Sequence, residues 1–172
     1  MLKGIGPVNA RNLVAYCGGV EPIFTDRKLK NTLEKVPGIG PKLIASITDK
    51  KVLSAAEKEL AYVQKHGLRM LFYLDGDFPH RLKQAEDAPV LLFAKGNTDL
   101  DAPRMVSIVG TRTPTDEGKR LCVELVEGLK ATGATIVSGL AYGVDIVAHR
   151  TALKQGLPTI ACVAHGLDKL YP

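Results

Sequence analysis

The sequence predicts an α/β protein: a parallel sheet flanked by helices and preceded by a small all-α part. Three observations predict it. Short apolar runs alternate with helical periodicities from Met105 onward, the pattern of βαβ units in a right-handed parallel sheet. The first two of these runs open into loops that combine glycines and hydroxyls at a helix start. The segment before residue 68 reads as helices and turns, and the tetrapeptide Gly-Ile-Gly-Pro recurs in it after 34 residues.

The first strand of the sheet is Met105–Val109. Thr115 or Thr113 caps a helix reaching about Thr132, with Leu121, Leu125 and Leu129 at i, i+4 and i+8, and Gly133 ends it. Ala134–Ser138 is the second strand. A helix over Asp145–Gln155 is closed by Gly156, and Thr159–Val163 is the third strand. In a parallel sheet both loops leave the carboxyl ends of their strands, where open α/β sheets bind ligands. The loops are Val109-Gly110-Thr111-Arg112 and Ser138-Gly139-Leu140-Ala141-Tyr142-Gly143-Val144-Asp145. Free backbone N–H groups at a helix start make an anion site, and the fork of Arg112 suits phosphate. The sheet is expected to be incomplete at its C-terminus, because a third strand left as an open edge is a pairing liability. The chain is accordingly expected to be a piece of a longer protein.

Upstream, Leu68–Leu74 is a continuous apolar run consistent with a strand buried on both faces. Asp75-Gly76-Asp77 signals a turn. A short helix is expected over Phe78–Lys83 and a strand over Pro89–Asn97, followed by a polar connection to Pro103. The domain boundary is placed at 67/68, giving a helical domain over 1–67 and a sheet domain over 68–172.

The two repeats are Lys3-Gly4-Ile5-Gly6-Pro7-Val8-Asn9-Ala10-Arg11 and Pro37-Gly38-Ile39-Gly40-Pro41-Lys42-Leu43-Ile44-Ala45. Gly4, Gly6, Gly38 and Gly40 let the backbone turn and let a phosphate approach. The isoleucine between each pair points inward and pins the turn. Proline suits the first helical position, where no N–H is needed. The N–H groups freed at that helix start can face a nucleic-acid backbone, and Arg11 and Lys42 lie in the first turns, placed to add charge. The repeats resemble the helix–hairpin–helix motif, which implies sequence-independent contact with DNA backbones. The alternative is a tight helical turn in a protein-interaction module, and the first copy lacks the helix that should precede it. Between the copies, Thr25 or Asp26 caps a helix to about Lys35. A longer helix over Val52–His66 carries Leu53, Ala56, Leu60 and Val63 on one face, with Gly67 ending it and the solvated pair Lys50-Lys51 before it.

Bulk composition bounds the function. With 172 residues and 45% hydrophobic content, one or two packed domains are expected. No apolar run approaches the roughly 18 residues of a membrane span, and nothing at Met1 resembles a signal peptide. The three cysteines, Cys17, Cys122 and Cys162, form no CxxC pair and read as reduced, small apolar residues of a cytoplasmic protein. The four histidines are scattered, so no metal is expected. Residues 1–66 hold 11 Lys+Arg against 6 Asp+Glu and residues 67–172 hold 12 against 12, so the net charge of +5 lies in the first part. That asymmetry suits a polyanionic partner, or equally a solvated basic face.

The loops also exclude. No G-x-G-x-x-G follows the first core strand, which argues against a dinucleotide dehydrogenase, and no G-x-x-x-x-G-K-[ST] is present. No nucleophile elbow marks a Ser-His-Asp arrangement. Asp145 and His149, at i and i+4, are read as structural residues that orient the helix start, with an acid–base pair as the alternative.

An ordered series of residues carries a closer resemblance: Ile108-Val109-Gly110-Thr111-Arg112, Thr115, Gly118, Ile136 through Asp145, Ala148-His149, Ala152-Leu153, Gly156, Thr159-Ile160-Ala161, Gly166-Leu167-Asp168 and Tyr171-Pro172. It resembles the DNA-processing protein A family (DprA, also called Smf), closely over Arg104–Pro172 and more loosely over Leu68–Pro103. The resemblance implies a Rossmann-like, cytoplasmic, non-enzymatic protein without cofactor or membrane partner. It further implies binding of single-stranded DNA in natural transformation, loading of the RecA recombinase and homodimerisation of the full-length protein. The family's phosphate pocket maps onto Gly110, Thr111 and Arg112 and onto Ser138, Gly139, Ala141, Tyr142 and Gly143, where Tyr142 either stacks on a base or packs. Glu117 departs from the family's usual aromatic and would weaken the pocket unless it points away. The competing reading is a nucleotide-processing enzyme, N-glycosidase-like, on a similar sheet. Those enzymes carry a Pro-Gly-Gly-x-Gly-Thr loop that this chain lacks.

Overall fold

A computed structural model describes residues 4–26, 29–49 and 51–169. Lys3, Lys50, Tyr171 and Pro172 of the motifs above lie outside the described residues. The chain divides into two compact units, 1–95 and 96–172, later than the 67/68 boundary suggested by composition.

The first unit opens with helices α1 (Pro7–Cys17), α2 (Glu21–Thr25), α3 (Leu29–Leu33), α4 (Pro41–Ile47) and α5 (Lys51–Lys65). The two Gly-Ile-Gly-Pro segments take nearly the same backbone. Gly6 and Gly40 are the residues before α1 and α4, both extended (ψ 179° and 175°), and Pro7 and Pro41 begin the helices. Gly4 and Gly38 both run at positive φ, 86° and 81°. Ile39 is buried and Ile5 packs against the same core, as the inward isoleucine requires. The copies meet reciprocally. Gly4 abuts Leu43 and Gly38 abuts Asn9, and Leu43 is the counterpart of Asn9 one repeat later. Such exchange of equivalent contacts is what a local two-fold relation produces.

Thr25 ends α2, its hydroxyl donating back to the Glu21 carbonyl, and Asp26 follows as the C-terminal cap; the start of the next helix, where the expected cap falls, includes residues 27–28, which lie outside the described residues. Two expectations in this unit are corrected. On α5 only Val63 is buried, while Leu53 and Leu60 are exposed. The apolar run after Gly67 forms β1 (Arg69–Phe72), which pairs antiparallel with β2 (Leu91–Ala94) rather than inside a parallel sheet. Its Arg69 and Met70 face solvent and only Leu71 is fully buried, because a two-stranded ribbon covers one face. Between these strands lies the short helix α6 (His80–Lys83). Arg11 binds this hairpin to α1: its guanidinium donates to the carbonyls of Glu86 (3.1 Å) and Ala88 (2.9 Å) and lies over the Tyr73 ring.

The second unit is a three-stranded parallel sheet in the order β3 (Met105–Ser107), β4 (Thr135–Ser138), β5 (Thr159–Ala161). Crossovers α7 (Asp116–Gly128) and α8 (Val144–Gln155) connect them and pack on each other. This is the Rossmann-like α/β arrangement. Thr115 caps α7, its Oγ accepting from the Gly118 N–H at 3.1 Å; a 3-10 turn over Lys130–Thr132 follows α7 and is closed by Gly133, and Gly156 closes α8, both glycines in the left-handed region. The buried stripe of α7 is Cys122 and Val126, with Leu129 partly buried, so Leu121 and Leu125 stand in solvent, one position off the expected face. The core holds Ile108, Cys122, Val126, Ile136, Ala148, Ala152 and Leu157.

Candidate nucleic-acid interface

The two glycine loops leave adjacent strands at the same end of the sheet and are tied together twice. At their base, the buried Ser138 hydroxyl donates to the Ile108 carbonyl at 2.6 Å. At their tips, the Val144 N–H donates to the Thr111 carbonyl at 3.1 Å. The close approach is possible only where side chains are missing. A Cβ on Gly110 would stand 2.6 Å from the Val144 side chain, and one on Gly143 would stand 2.6 Å from the Arg112 Cα. Gly143 also holds φ 90° and ψ −131°, a region other residues strain to enter.

These ties decide which groups remain for a ligand. A trans peptide sets its C=O and the next N–H in opposite directions. With the Thr111 carbonyl turned to Val144, the Arg112 N–H faces away from α8. Among the described residues, the N–H groups of Gly110, Thr111, Arg112, Gly139, Leu140 and Ala141 make no bond within the chain. They gather beside the N-terminus of α8, whose dipole favours negative charge. The Arg112 side chain is exposed, and no hydrogen bond or ion pair holds it among the described residues. Thr111 is exposed and its Oγ accepts from the Thr113 N–H, leaving the hydroxyl proton available. Tyr142 is 56% exposed at the loop tip, and Ala141 is half-buried.

The other expected residues fall differently. Ser138 is buried and its one hydroxyl proton goes to Ile108, so it supports the loops rather than offering a bond outward. Glu117 is turned onto Arg120 of its own helix, which holds its carboxyl below the usual range. Arg120 also pairs with Glu124, so the carboxylate feared near the pocket is engaged along α7. Asp145 and His149 are both buried, and no hydrogen bond joins them among the described residues. The imidazole Nε2 lies 2.6 Å from the Gly139 carbonyl and Nδ1 lies 2.7 Å from Thr159 Oγ. Asp145 packs under Gly139, where a Cβ would stand 2.6 Å from Oδ2. The hairpin residues Gly4, Gly6, Gly38, Gly40 and Lys42 are all exposed. Arg11, expected to add charge outward, is instead held by backbone carbonyls. Val144, whose N–H makes the second tie, and Thr159, which holds His149, stood in the motif series without a role, because those roles exist only once the loops meet. Among the described residues no three His, Cys, Asp or Glu side chains are grouped to hold a metal ion.

Comparison with known proteins places this geometry. The family model for DNA recombination-mediator protein A matches residues 69–172. Protein Smf of Synechocystis is 34% identical over 175 residues, 99% of this chain and 44% of that protein. The DNA processing protein DprA of Streptococcus pneumoniae is 44% identical over 99 residues, 58% of this chain and 35% of that protein. The chain thus spans less than half the length of these curated relatives. The X-ray structure of DprA from S. pneumoniae superposes with a TM-score of 0.72 at 28% identity, covering 99% of this chain and 57% of that one. DprA from Helicobacter pylori, solved for its single-stranded DNA binding mode, superposes with a TM-score of 0.53 at 38% identity over 61% of this chain and 46% of that one. With most of its length matched by the family model and its two glycine loops set as described, the chain belongs to the DNA recombination-mediator protein A (DprA/Smf) family.

Proposed function

We propose that the chain binds single-stranded DNA through the paired loops and belongs to a protein that handles incoming DNA in natural transformation and passes it to the RecA recombinase. One observation carries the reading: at the start of α8, N–H groups of both loops and the Arg112 side chain have no partner among the described residues. Arg112 pairs with a phosphate, the N–H groups of Gly110–Arg112 and Gly139–Ala141 cradle it, and the Thr111 hydroxyl adds a bond. Tyr142 offers a base a stacking face, worth roughly 1–3 kcal/mol. The similarity to the H. pylori DprA solved for its single-stranded DNA binding mode supports the choice of ligand. The proposal includes homodimerisation of the intact protein, a cytoplasmic place and no catalytic step. In support of the last, both nitrogens of His149 are engaged inside the fold, which leaves neither to act as acid or base on a substrate.

Fluorescence anisotropy of labelled oligo-dT and a matching duplex, across a salt series, tests the reading. Preference for the single strand with a negative log–log slope is expected, because phosphate contacts release counterions. Arg112→Ala is expected to weaken oligo-dT binding about tenfold and to lower the slope by about 1. Unchanged affinity in that variant at moderate salt would remove the loops from the account.

A further inference from the structure

We infer that His149 is a positioning residue of this site: from beneath the second loop its Nε2–H holds the Gly139 carbonyl inward and so turns the Leu140 N–H outward as an anion donor. The inference rests on the DNA-binding reading above and deepens it.

Proton accounting supports it. A carbonyl oxygen only accepts, so the contact of Nε2 with Gly139 at 2.6 Å requires a proton on Nε2. Thr159 has one hydroxyl proton and two acceptors within reach, His149 Nδ1 at 2.7 Å and the Ile136 carbonyl at 2.9 Å. With a neutral ring the hydroxyl donates to Nδ1. With a charged ring Nδ1–H donates to the hydroxyl, which donates to Ile136. Nε2 keeps its proton in both states, so the hold on Gly139 is the fixed point of the network. The network runs from the sheet, through α8, to the first peptide of the loop.

Geometry supports it independently. His149 is 6% exposed, so it does not reach a ligand. Its effect passes through the peptide plane: the carbonyl of Gly139 points at His149, so the N–H of Leu140 points away from it. That N–H has no partner among the described residues. Asp145, one turn earlier on α8, confines the same glycine. Its Oδ2 leaves no room for a Cβ at Gly139, and its Oδ1 is buried with no hydrogen-bond partner among the described residues. Gly139 is therefore gripped at its carbonyl and at its Cα by two residues of one helix.

The test uses the intact protein with oligo-dT. His149→Phe is expected to weaken binding about tenfold, the effect of one misplaced hydrogen bond, with the salt slope unchanged. His149→Gln, whose amide N–H reaches toward the place of Nε2, is expected to restore most of the affinity. In the ligand-free protein, long-range ¹⁵N spectra are expected to show a proton on His149 Nε2, and His149→Phe to shift the Leu140 amide. Wild-type affinity in His149→Phe overturns the inference. So does a fall in slope equal to that of Arg112→Ala, which would mean that the ring touches phosphate. If His149→Phe does not fold, Thr159→Val decides: about threefold weaker binding at constant slope is expected, and no change overturns the inference. If the wild-type protein ignores oligo-dT, the DNA reading fails. The Leu140 amide then still reports whether His149 sets the loop, and an unmoved amide overturns that too.

Discussion

At Gly143 a single missing side chain permits the loops to meet. The residue holds a positive φ, and a Cβ would press on the backbone of Thr111 and Arg112. Gly143→Ala is expected to cost about 1–3 kcal/mol and to part the Val144–Thr111 tie. Thermal unfolding checks the cost and oligo-dT anisotropy checks the tie. A variant unchanged in both would show that the close approach is dispensable. The cysteines separate by the same local logic. Burial raises the Cys122 thiol above its ordinary value, so little thiolate forms, whereas Cys162 is exposed. Iodoacetamide at neutral pH is expected to label Cys162 first and Cys122 only when the fold opens. Mass spectrometry of partly labelled protein reads the order directly.

Elements show how far a sequence can be read. The strand–loop–helix alternation, the glycine end of α8 and the glycine stop after the turn that follows α7 were legible, because periodicity and turn chemistry are local. Which face of α7 packs was not. Leucines at i, i+4 and i+8 outline one stripe, but the sheet and α8 take the stripe of Cys122 and Val126 beside it. Smaller side chains fit there against Ala148 and Ala152, a matter of tertiary space. Strand β1 looked buried on both faces because composition reports apolarity, not the number of neighbouring strands. Arg11 was legible as a charge and not as a clamp, since its three carbonyl partners lie more than seventy residues away. In the site, the exposed Arg112 and the glycines were legible from motif and type. The inward turn of Ser138 depended on where the Ile108 carbonyl came to lie. The first turn of α7 carries a prediction of its own. A hydrogen bond from Lys119 and its charge hold the Asp116 carboxyl below its ordinary value, and Arg120 does the same for Glu117. Both values are depressed in the folded chain. Their contribution is therefore present above the ordinary carboxylate range of about 4 and is lost as pH falls through the lower folded values. The protection of the Gly118–Arg120 amides, relative to their intrinsic exchange rates, is expected to fall below that range while that of β4 holds. Equal protection at both sites across the titration would remove the ion pairs from the helix start.

Along the chain, charge and site do not coincide. The excess of 11 Lys+Arg over 6 Asp+Glu lies in residues 1–66, and the paired loops lie among residues whose charges balance, 12 against 12. A site in balanced surroundings draws its anion through fixed donors at short range. A basic surface draws it through the counterion atmosphere over a Debye length. The two should therefore separate in one experiment. Arg112→Ala is expected to weaken oligo-dT binding and leave duplex binding within about twofold, since a phosphate contact acts on the strand it touches. Lys42→Glu, on the exposed start of the second repeat, is expected to do the reverse, weakening duplex binding while oligo-dT binding holds. Its loss should fade at high salt, because an exposed lysine acts mainly through counterion release. The Arg112→Ala loss should persist in part, because the N–H cradle and the arginine fork bond the phosphate directly. If both substitutions weakened both ligands in the same proportion and with the same salt dependence, the assignment of single-stranded binding to the loops alone would fall.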